Sequence, residues 1–244
     1  ERRNVMAYFE GYPWWTDEQR EFQKNTAAFL DTLVEEEMKS RWTREFPFEL
    51  YEKIGATGMT GAAIPVEYGG LGLGATGSCI VAEECWKRFP GIGRIVVGNF
   101  NGGLRQVYEH GTEEQKKRML PPIAGGELGA VAITEVTAGT DASGMSLVAK
   151  LEGDHYVLNG RKRFIVAAGV ADRYFIYAQT STDPAVVKKH KHLSAFIIRK
   201  DLEGFHSEKI NEILGFENVQ NGSLYLKDVK VPVEDRLGEE GEGW

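Results

Sequence analysis

The period of the hydrophobic pattern changes at Pro121-Pro122, and this change constrains the fold more than any other feature of the chain. Over residues 16–38, apolar residues recur at helical spacing. After the prolines, short β-branched and aromatic runs alternate with glycine and asparagine turns. Because each pattern buries its apolar face only in its own secondary structure, we predict an α+β fold. We expect an all-α helical domain at 1–122 and a mainly antiparallel β-barrel or sandwich domain at 123–244.

Capping residues indicate where two of the helices begin. Both Thr16-Asp-Glu-Gln19 and Thr112-Glu-Glu-Gln115 have the capping-box form, in which a threonine and a glutamine satisfy free backbone N–H groups. The second helix is expected to end at Leu120, because proline does not continue a helix. Further helices are predicted at 47–54, 78–88 and 95–110.

The second half of the chain is expected to form short strands. Asn159-Gly160 is the strongest hairpin signal, because both residues tolerate a positive φ, and Gly153-Asp154 is a second predicted turn. The strands are predicted at 129–134, 146–151, 155–158, 161–166, 173–180, 193–199 and 223–231.

Gly72, Gly74 and Gly77 match the G-x-G-x-x-G pattern of dinucleotide-binding folds. That pattern requires a buried strand before it, a helix after it, and a second strand that ends in an acidic residue. Pro65 makes the preceding segment a poor central strand, and no suitable second strand follows. We interpret these glycines as a connection between helices and not as an NAD site.

Overall charge and composition exclude several classes of protein. The chain has 29 basic and 36 acidic residues, so bulk charge attracts neither nucleic acid nor an anionic membrane. No apolar run is long enough to span a bilayer. The two cysteines are too few for a disulfide framework, and their spacing suits a metal poorly. We expect no nucleic-acid partner, no membrane insertion and no metal site.

The segment from Val131 to Asp141 is the best candidate for chemistry. An apolar strand leads into Thr134-Glu135 and then into a loop of small residues with Gly139 and Thr140. Glycine lets the backbone approach a ligand closely, and neighbouring N–H groups with a threonine hydroxyl can donate to a phosphate. An ordinary β turn explains the same residues equally well.

Several motifs, in a fixed order, resemble the acyl-CoA dehydrogenase family of flavoproteins. In the second half these are "AITEVTAGTD", "GDHYVLNGRKRFIVAAGVADRYFIYAQT" and "LYLKDVKVPVEDRLGEEGEGW". In the first half, "PVEYGGLGLG" and "HGTEEQKKRMLPPIAGGELGAVAITE" are similar to the family's helical domain. The resemblance extends from Thr16 onward.

The resemblance implies an FAD-dependent α,β-dehydrogenation of an acyl-CoA, in which a carboxylate takes the α proton and the β hydrogen leaves as hydride to flavin N5. Thr140 would also lie near the CoA. The basic segment 188–192 would lie near CoA phosphates or, as we prefer, form a solvated charge run. The residues implied to bind FAD are Val131, Ile133, Thr134, Gly139, Thr140, Phe164, Ile165 and Val166.

Three departures from the family pattern affect this expectation. Val166 stands where the family has a threonine or serine that donates to flavin N5, and Val136 replaces a proline. The family continues beyond the "GEGW" position into a C-terminal helical domain that carries the catalytic glutamate. We therefore expect no catalytic residue in this chain and assign Glu135 to fixing its loop.

The resemblance also implies partners and leaves alternatives open. An electron-transferring flavoprotein would dock on the helical domain, with Leu71 and Leu73 as candidate anchors. A homo-oligomer (dimer or tetramer) or a complementary chain is expected, in the cytoplasm or, in a eukaryote, the mitochondrial matrix. One alternative is an oxygen-using relative: an acyl-CoA oxidase, a nitroalkane oxidase or a flavin monooxygenase. The other is a non-catalytic subunit of a split enzyme.

Overall fold

The computed structural model describes residues 12–99 and 103–243. The predicted helical segment at 100–102, residues 1–11 of the expected helical domain and Trp244 of the expected β domain lie outside the described residues. The helices are α1 (Asp17–Asp31), α2 (Val34–Thr43), α3 (Phe48–Ala56), α4 (Gly74–Arg88), α5 (Pro90–Asn99), α6 (Arg105–His110), α7 (Glu113–Ala124) and α8 (Pro184–Val187). The strands are β1 (Gly129–Ala132), β2 (Val148–Glu152), β3 (His155–Val166), β4 (Arg173–Gln179), β5 (Leu193–Arg199), β6 (Phe205–Asn211), β7 (Asn221–Pro232) and β8 (Arg236–Leu237).

Both predicted capping boxes are confirmed. The Gln19 backbone N–H donates to the Thr16 hydroxyl at 3.2 Å, and the Thr16 N–H donates to Gln19 Oε1 at 3.0 Å. Thr112 and Gln115 make the same two bonds at the start of α7. These short-range bonds form within four residues, and this is why the local sequence predicts them.

The predicted end of α7 was wrong. The helix continues to Ala124, with Pro121 and Pro122 inside it. Their carbonyls still accept hydrogen bonds, from Gly125 N–H at 3.0 Å and from Glu127 N–H at 2.9 Å. The two prolines leave only the last turn without N–H donors, and in that turn Ile123 and Ala124 are fully buried against the core.

The β domain is one mixed, mainly antiparallel sheet. Its strands run in the order β6-β7-β3-β2-β4-β5-β8, and β1 pairs with β4. Among the described residues, five strand pairings are antiparallel and two, β1 with β4 and β2 with β4, are parallel. The predicted fold class, a helical domain followed by a mainly antiparallel β domain, is confirmed.

The prediction of a hairpin at Asn159-Gly160 was wrong. The two strands expected on either side of it are one strand, β3, which pairs along its length with β7. Gly160 does adopt a positive φ of 145°, but at a bulge in the pairing, and a Cβ there would lie 2.9 Å from Leu147. Asn159 caps the bulge by accepting from the Asp228 N–H at 2.9 Å. A positive φ therefore occurs at Gly160 but not at Asn159, and the predicted chain reversal does not occur.

The helical domain packs directly on the sheet. One hydrophobic cluster contains Leu30, Ile54 and Ile95 from the helices together with Ala130 and Leu158 from the strands. This packing places α5 over β1. No helix in the described part of the chain is long and apolar enough to cross a membrane.

Candidate functional site

The chain bends sharply after β1, and β3 holds this bend in place. The Arg163 N–H donates to the Thr134 carbonyl at 2.8 Å. The Glu135 N–H donates to the Ala138 carbonyl, also at 2.8 Å, which closes the turn. The backbone from Ile133 to Glu135 therefore lies beside the second half of β3.

A buried ion pair fixes the same bend from inside. Lys162 is fully buried, and its Nζ lies 2.8 Å from Glu135 Oε1 and 3.0 Å from the Ile133 carbonyl oxygen. The Ser146 N–H and hydroxyl donate to Glu135 Oε2 at 2.6 Å, and the Leu147 N–H donates to Oε1 at 3.0 Å. Burial acts to raise the pKa of Glu135, but hydrogen bonds from Lys162 and Ser146 outweigh it and hold the pKa below its ordinary value. The sequence predicted the role of Glu135 and missed its partner Lys162.

The end of β3 has an irregular backbone that faces the bend. The pairing of β3 with β7 shifts register between Arg163 and Ile165. Phe164 and Ala167 have positive φ values of 59° and 65°, a region that non-glycine residues rarely adopt. Asn221 Nδ2 donates to the Phe164 carbonyl at 3.2 Å. The bulge turns the Phe164 ring outward, where it is 52% exposed.

These two segments and α5 line an open cavity of about 280 Å³. Six of the eight residues predicted to bind FAD line it, so the structure brings together positions that lie about 30 residues apart in the sequence. Sequence reasoning missed the helical wall. The lining residues are Arg94, Ile95, Gly98, Gly129, Ala130, Val131, Ile133, Thr134, Phe164, Ile165, Val166 and Ala167.

The other two predicted residues, Gly139 and Thr140, do not line this cavity. They are exposed, and a Cβ on Gly139 would meet no atom within 4 Å, so its backbone is open to a ligand. The loop continues into Asp141, whose pKa is lowered mainly by a hydrogen bond from the Ser143 hydroxyl. His192 Nε2 lies 3.0 Å from the Ser143 carbonyl oxygen, which ties this loop to the start of β5.

The basic segment 188–192, which precedes β5, is exposed at its start and buried at its end. Residues 188–191 are exposed, in keeping with a solvated charge run, but His192 is only 1% exposed. Lys189 and His190 border a second, larger groove of about 1050 Å³, formed with α6, α7 and the residues around β8. The charge run therefore lies at a groove edge and not over the smaller cavity.

The glycine-rich stretch leads from one helical segment into the next, as predicted, but the predicted start of the second helix at residue 78 was wrong, because Gly77 already lies inside α4. Gly72 and Gly74 have positive φ, and α4 begins at Gly74. Leu71 and Leu73 are half-buried. Within residues 12–99 and 103–243, no three His, Cys, Asp or Glu side chains come close enough to hold a metal ion.

The helical domain packs on the β domain, and the cavity between them is mostly apolar with a few placed polar groups. These features are typical of a protein that binds an organic ligand at a domain interface. Sequence models of the acyl-CoA dehydrogenase N-terminal domain and middle domain match residues 16–127 and 130–229. The chain belongs to the acyl-CoA dehydrogenase family.

Three relatives illustrate the match. The short-chain-specific acyl-CoA dehydrogenase of Clostridium acetobutylicum is 40% identical over 226 residues, which cover 92% of this chain and 57% of the relative. A chain in the solved structure of the electron transferring flavoprotein of Acidaminococcus fermentans has a TM-score of 0.88 at 36% identity, covering 96% of this chain and 61% of that one. The acyl-CoA dehydrogenase of Bacillus anthracis complexed with FAD has a TM-score of 0.85 at 34% identity. That match covers 96% of this chain and 40% of the other. This chain thus spans little more than half the length of the curated relative.

The family relation indicates FAD as the cofactor. The described walls of the cavity fit a flat aromatic ring system. Val131, Ile133 and Ile165 are apolar, Phe164 presents an exposed ring, and the Thr134 hydroxyl is a placed hydrogen-bonding group.

Proposed function

We propose that this chain is the cofactor- and substrate-binding portion of an FAD-dependent acyl-CoA dehydrogenase that converts an acyl-CoA thioester to its 2-enoyl-CoA. The observation that carries the proposal is the single cavity that joins residues 131–134 to residues 164–166. Family membership supports the reaction class. FAD, when bound, supplies the acceptor for the hydride that leaves the β carbon.

The residues of this chain bind and orient the ring and keep water away from it. Val131, Ile133 and Ile165 form apolar walls, and Thr134 offers a hydroxyl at the bend. The buried Glu135–Lys162 pair sets the position of that bend before any ligand binds. The open backbone at Gly139 and the Thr140 hydroxyl would receive phosphate groups of FAD, and Thr140 the CoA side as well.

The described walls of the cavity carry no aspartate or glutamate. A general base must reach the α proton within hydrogen-bond distance. Glu135 is unsuited to this role, because its carboxylate is buried in bonds to Lys162, Ser146 and Leu147. We therefore propose that the base comes from another part of the protein.

The proposal is tested with the full-length protein purified from its native source. A flavin absorbance spectrum and its bleaching by butyryl-CoA without oxygen are the expected results. A colourless protein that free FAD cannot reconstitute would refute the enzyme and favour a non-catalytic subunit.

A second candidate is an oxygen-using flavoenzyme of the same fold. It is favoured by Val166, which lines the cavity without offering a hydroxyl. A missing donor beside a flavin changes the electrostatic stabilisation of its reduced form. Stoichiometric hydrogen peroxide release in air, with no need for a protein acceptor, would distinguish this function from dehydrogenation.

We further propose an electron-transferring flavoprotein as the electron acceptor, docking near Leu71 and Leu73. The similarity to a chain in the solved structure of such a flavoprotein supports this partner. The half-burial of both leucines leaves part of each side chain accessible for contact. The oligomeric state and the compartment stay predictions.

A further inference from the structure

Segment 218–221, which leads into β7, is attached to the β wall of the 280 Å³ cavity. The Ala167 N–H donates to the Gln220 carbonyl at 2.7 Å, and Asn221 Nδ2 donates to the Phe164 carbonyl at 3.2 Å. Phe164 and Ala167 both line the cavity, and both have a positive φ. The segment therefore holds the irregular end of β3 in place.

The other end of the segment is attached to the helical domain. Asn218 is only 1% exposed, and its Nδ2 donates to Ser40 Oγ at 2.8 Å and to Glu37 Oε1 at 3.3 Å, both on α2. The same side chain packs against the first turn of α5, because a Cβ on Gly91 would lie 2.2 Å from Asn218 Oδ1. Asn218 thus contacts two helices at once.

One of these helices, α5, is the helical wall of the cavity, through Arg94, Ile95 and Gly98. Val219, the next residue of the segment, is buried in the same hydrophobic cluster as Ile95. The three peptide units from residue 218 to residue 221 span at most about 11 Å. While both ends of segment 218–221 keep their bonds, the helical wall and the β wall therefore cannot move far apart.

We propose that Asn218 is a positioning residue for the cofactor: it joins α2 and α5 to the bulge of β3 and so sets the width of the cavity that receives the flavin ring. This inference rests on the proposed function. A flat ring contacts both walls only when the gap matches its thickness, because dispersion contacts are lost when the gap widens. Walls held at the correct distance before binding also lose less conformational freedom when the ring enters.

The charges around Asn218 make its hydrogen bonds testable by pH. Burial raises the pKa of Glu37, although the hydrogen bond from Asn218 and the charge of Arg41 on α2 act to lower it. Glu217, which precedes Asn218, acts in the same direction as burial. In an Asn218→Asp variant a second carboxylate would face Glu37, and such a pair takes up a shared proton as pH falls. A pH profile therefore distinguishes the hydrogen bond from the volume of the side chain.

The test measures FAD affinity by titrating the flavin-free full-length protein, with thermal melting as a second readout. Asn218→Leu keeps the approximate volume of the side chain but removes both donated bonds, so FAD affinity should fall by roughly 5- to 30-fold. Asn218→Asp should bind FAD more weakly than wild type at pH 8. At pH 5.5 it should bind within about threefold of wild type, because a protonated carboxyl can donate again.

Glu84→Gln is the matched control. Glu84 is also a buried carboxylate of the helical domain, at 3% exposure, and it accepts a hydrogen bond from Gln23 on α1. Lys87 and Arg88 of its own helix donate to it as well. The variant should lower the melting temperature but change FAD affinity by less than about twofold, because these bonds do not involve segment 218–221.

Each contrary result has a distinct meaning. If Asn218→Leu binds FAD as tightly as wild type, or loses no more affinity than Glu84→Gln at an equal fall in melting temperature, the inference is overturned and the proposed function stands. If Asn218→Leu does not fold, Asn218→Asp decides alone: a deficit at pH 5.5 as large as that at pH 8 would overturn the inference. A wild-type protein that binds no FAD would overturn the proposed function itself.

Discussion

Replacing Lys162 by methionine tests how much the buried ion pair stabilises the bend. The variant removes donors to Glu135 Oε1 at 2.8 Å and to the Ile133 carbonyl at 3.0 Å, and it leaves Glu135 charged at 5% exposure. Breaking one side of a buried pair lowers the free energy of unfolding by about 3–5 kcal/mol. Glu135 keeps its bonds from Ser146 and Leu147, so we expect the lower end of this range. Thermal unfolding followed by circular dichroism should show a melting temperature lower by roughly 6–12 °C.

The same variant should respond to pH in a defined direction. In the wild-type protein the pKa of Glu135 is depressed, so its contribution is present above the unfolded pKa and is lost as pH falls through the folded pKa. Without Lys162, burial raises the pKa of Glu135, and protonation removes the unpaired charge. The stability difference between wild type and Lys162→Met should therefore shrink as pH is lowered from 7 towards about 5.

Two further variants complete the design. Glu135→Gln combined with Lys162→Met removes both charges and should be more stable than Lys162→Met alone. Lys150→Met breaks an exposed pair with Glu152 on β2 and should leave the melting temperature unchanged within error. If the double variant is no more stable than Lys162→Met, or if the stability deficit of Lys162→Met grows at low pH, the reasoning is refuted.

Three other changes test separate parts of the structure. Gly222→Ala would place a Cβ 1.8 Å from the Glu208 carbonyl oxygen, so the melting temperature should fall by roughly 10 °C or more; an unchanged value would contradict the tight approach of β6 and β7. Phe164→Gly should remove the strain of a positive φ of 59°, so the melting temperature should be equal or higher. The FAD affinity, measured by fluorescence titration, should fall by roughly tenfold because an apolar wall of the cavity is lost. Burial raises the pKa of Cys85 to about 12, so iodoacetamide at pH 8 should alkylate the exposed Cys79 and not Cys85, as peptide mass mapping would show; equal labelling would argue against the buried position.

The proposed site shows where sequence reasoning succeeds and where it does not. The motif containing Thr134 and Glu135 identified the bend, because a strand that ends in a small-residue loop is a local pattern. The pairing of Lys162 with Glu135 and the position of Arg94 on the cavity wall were missed, since each residue lies more than 25 residues from that motif. A lysine in a strand or an arginine in a helix is ordinary until the fold shows that Lys162 is buried against Glu135 and that Arg94 lines the cavity.

The sequence by itself determined the helical and β halves, both capping boxes and the positive φ of Gly160, because these depend on periodicity, on bonds within a few residues and on the absence of a Cβ. Only the tertiary structure decided that Asn159-Gly160 lies in a bulge of β3 and that α7 runs through two prolines. It also decided that residues 131–134, residues 164–166 and Arg94 share one cavity. The physical reason is that strand pairing and core burial join residues distant in the chain, and their combined free energy exceeds the local preference of any turn or proline.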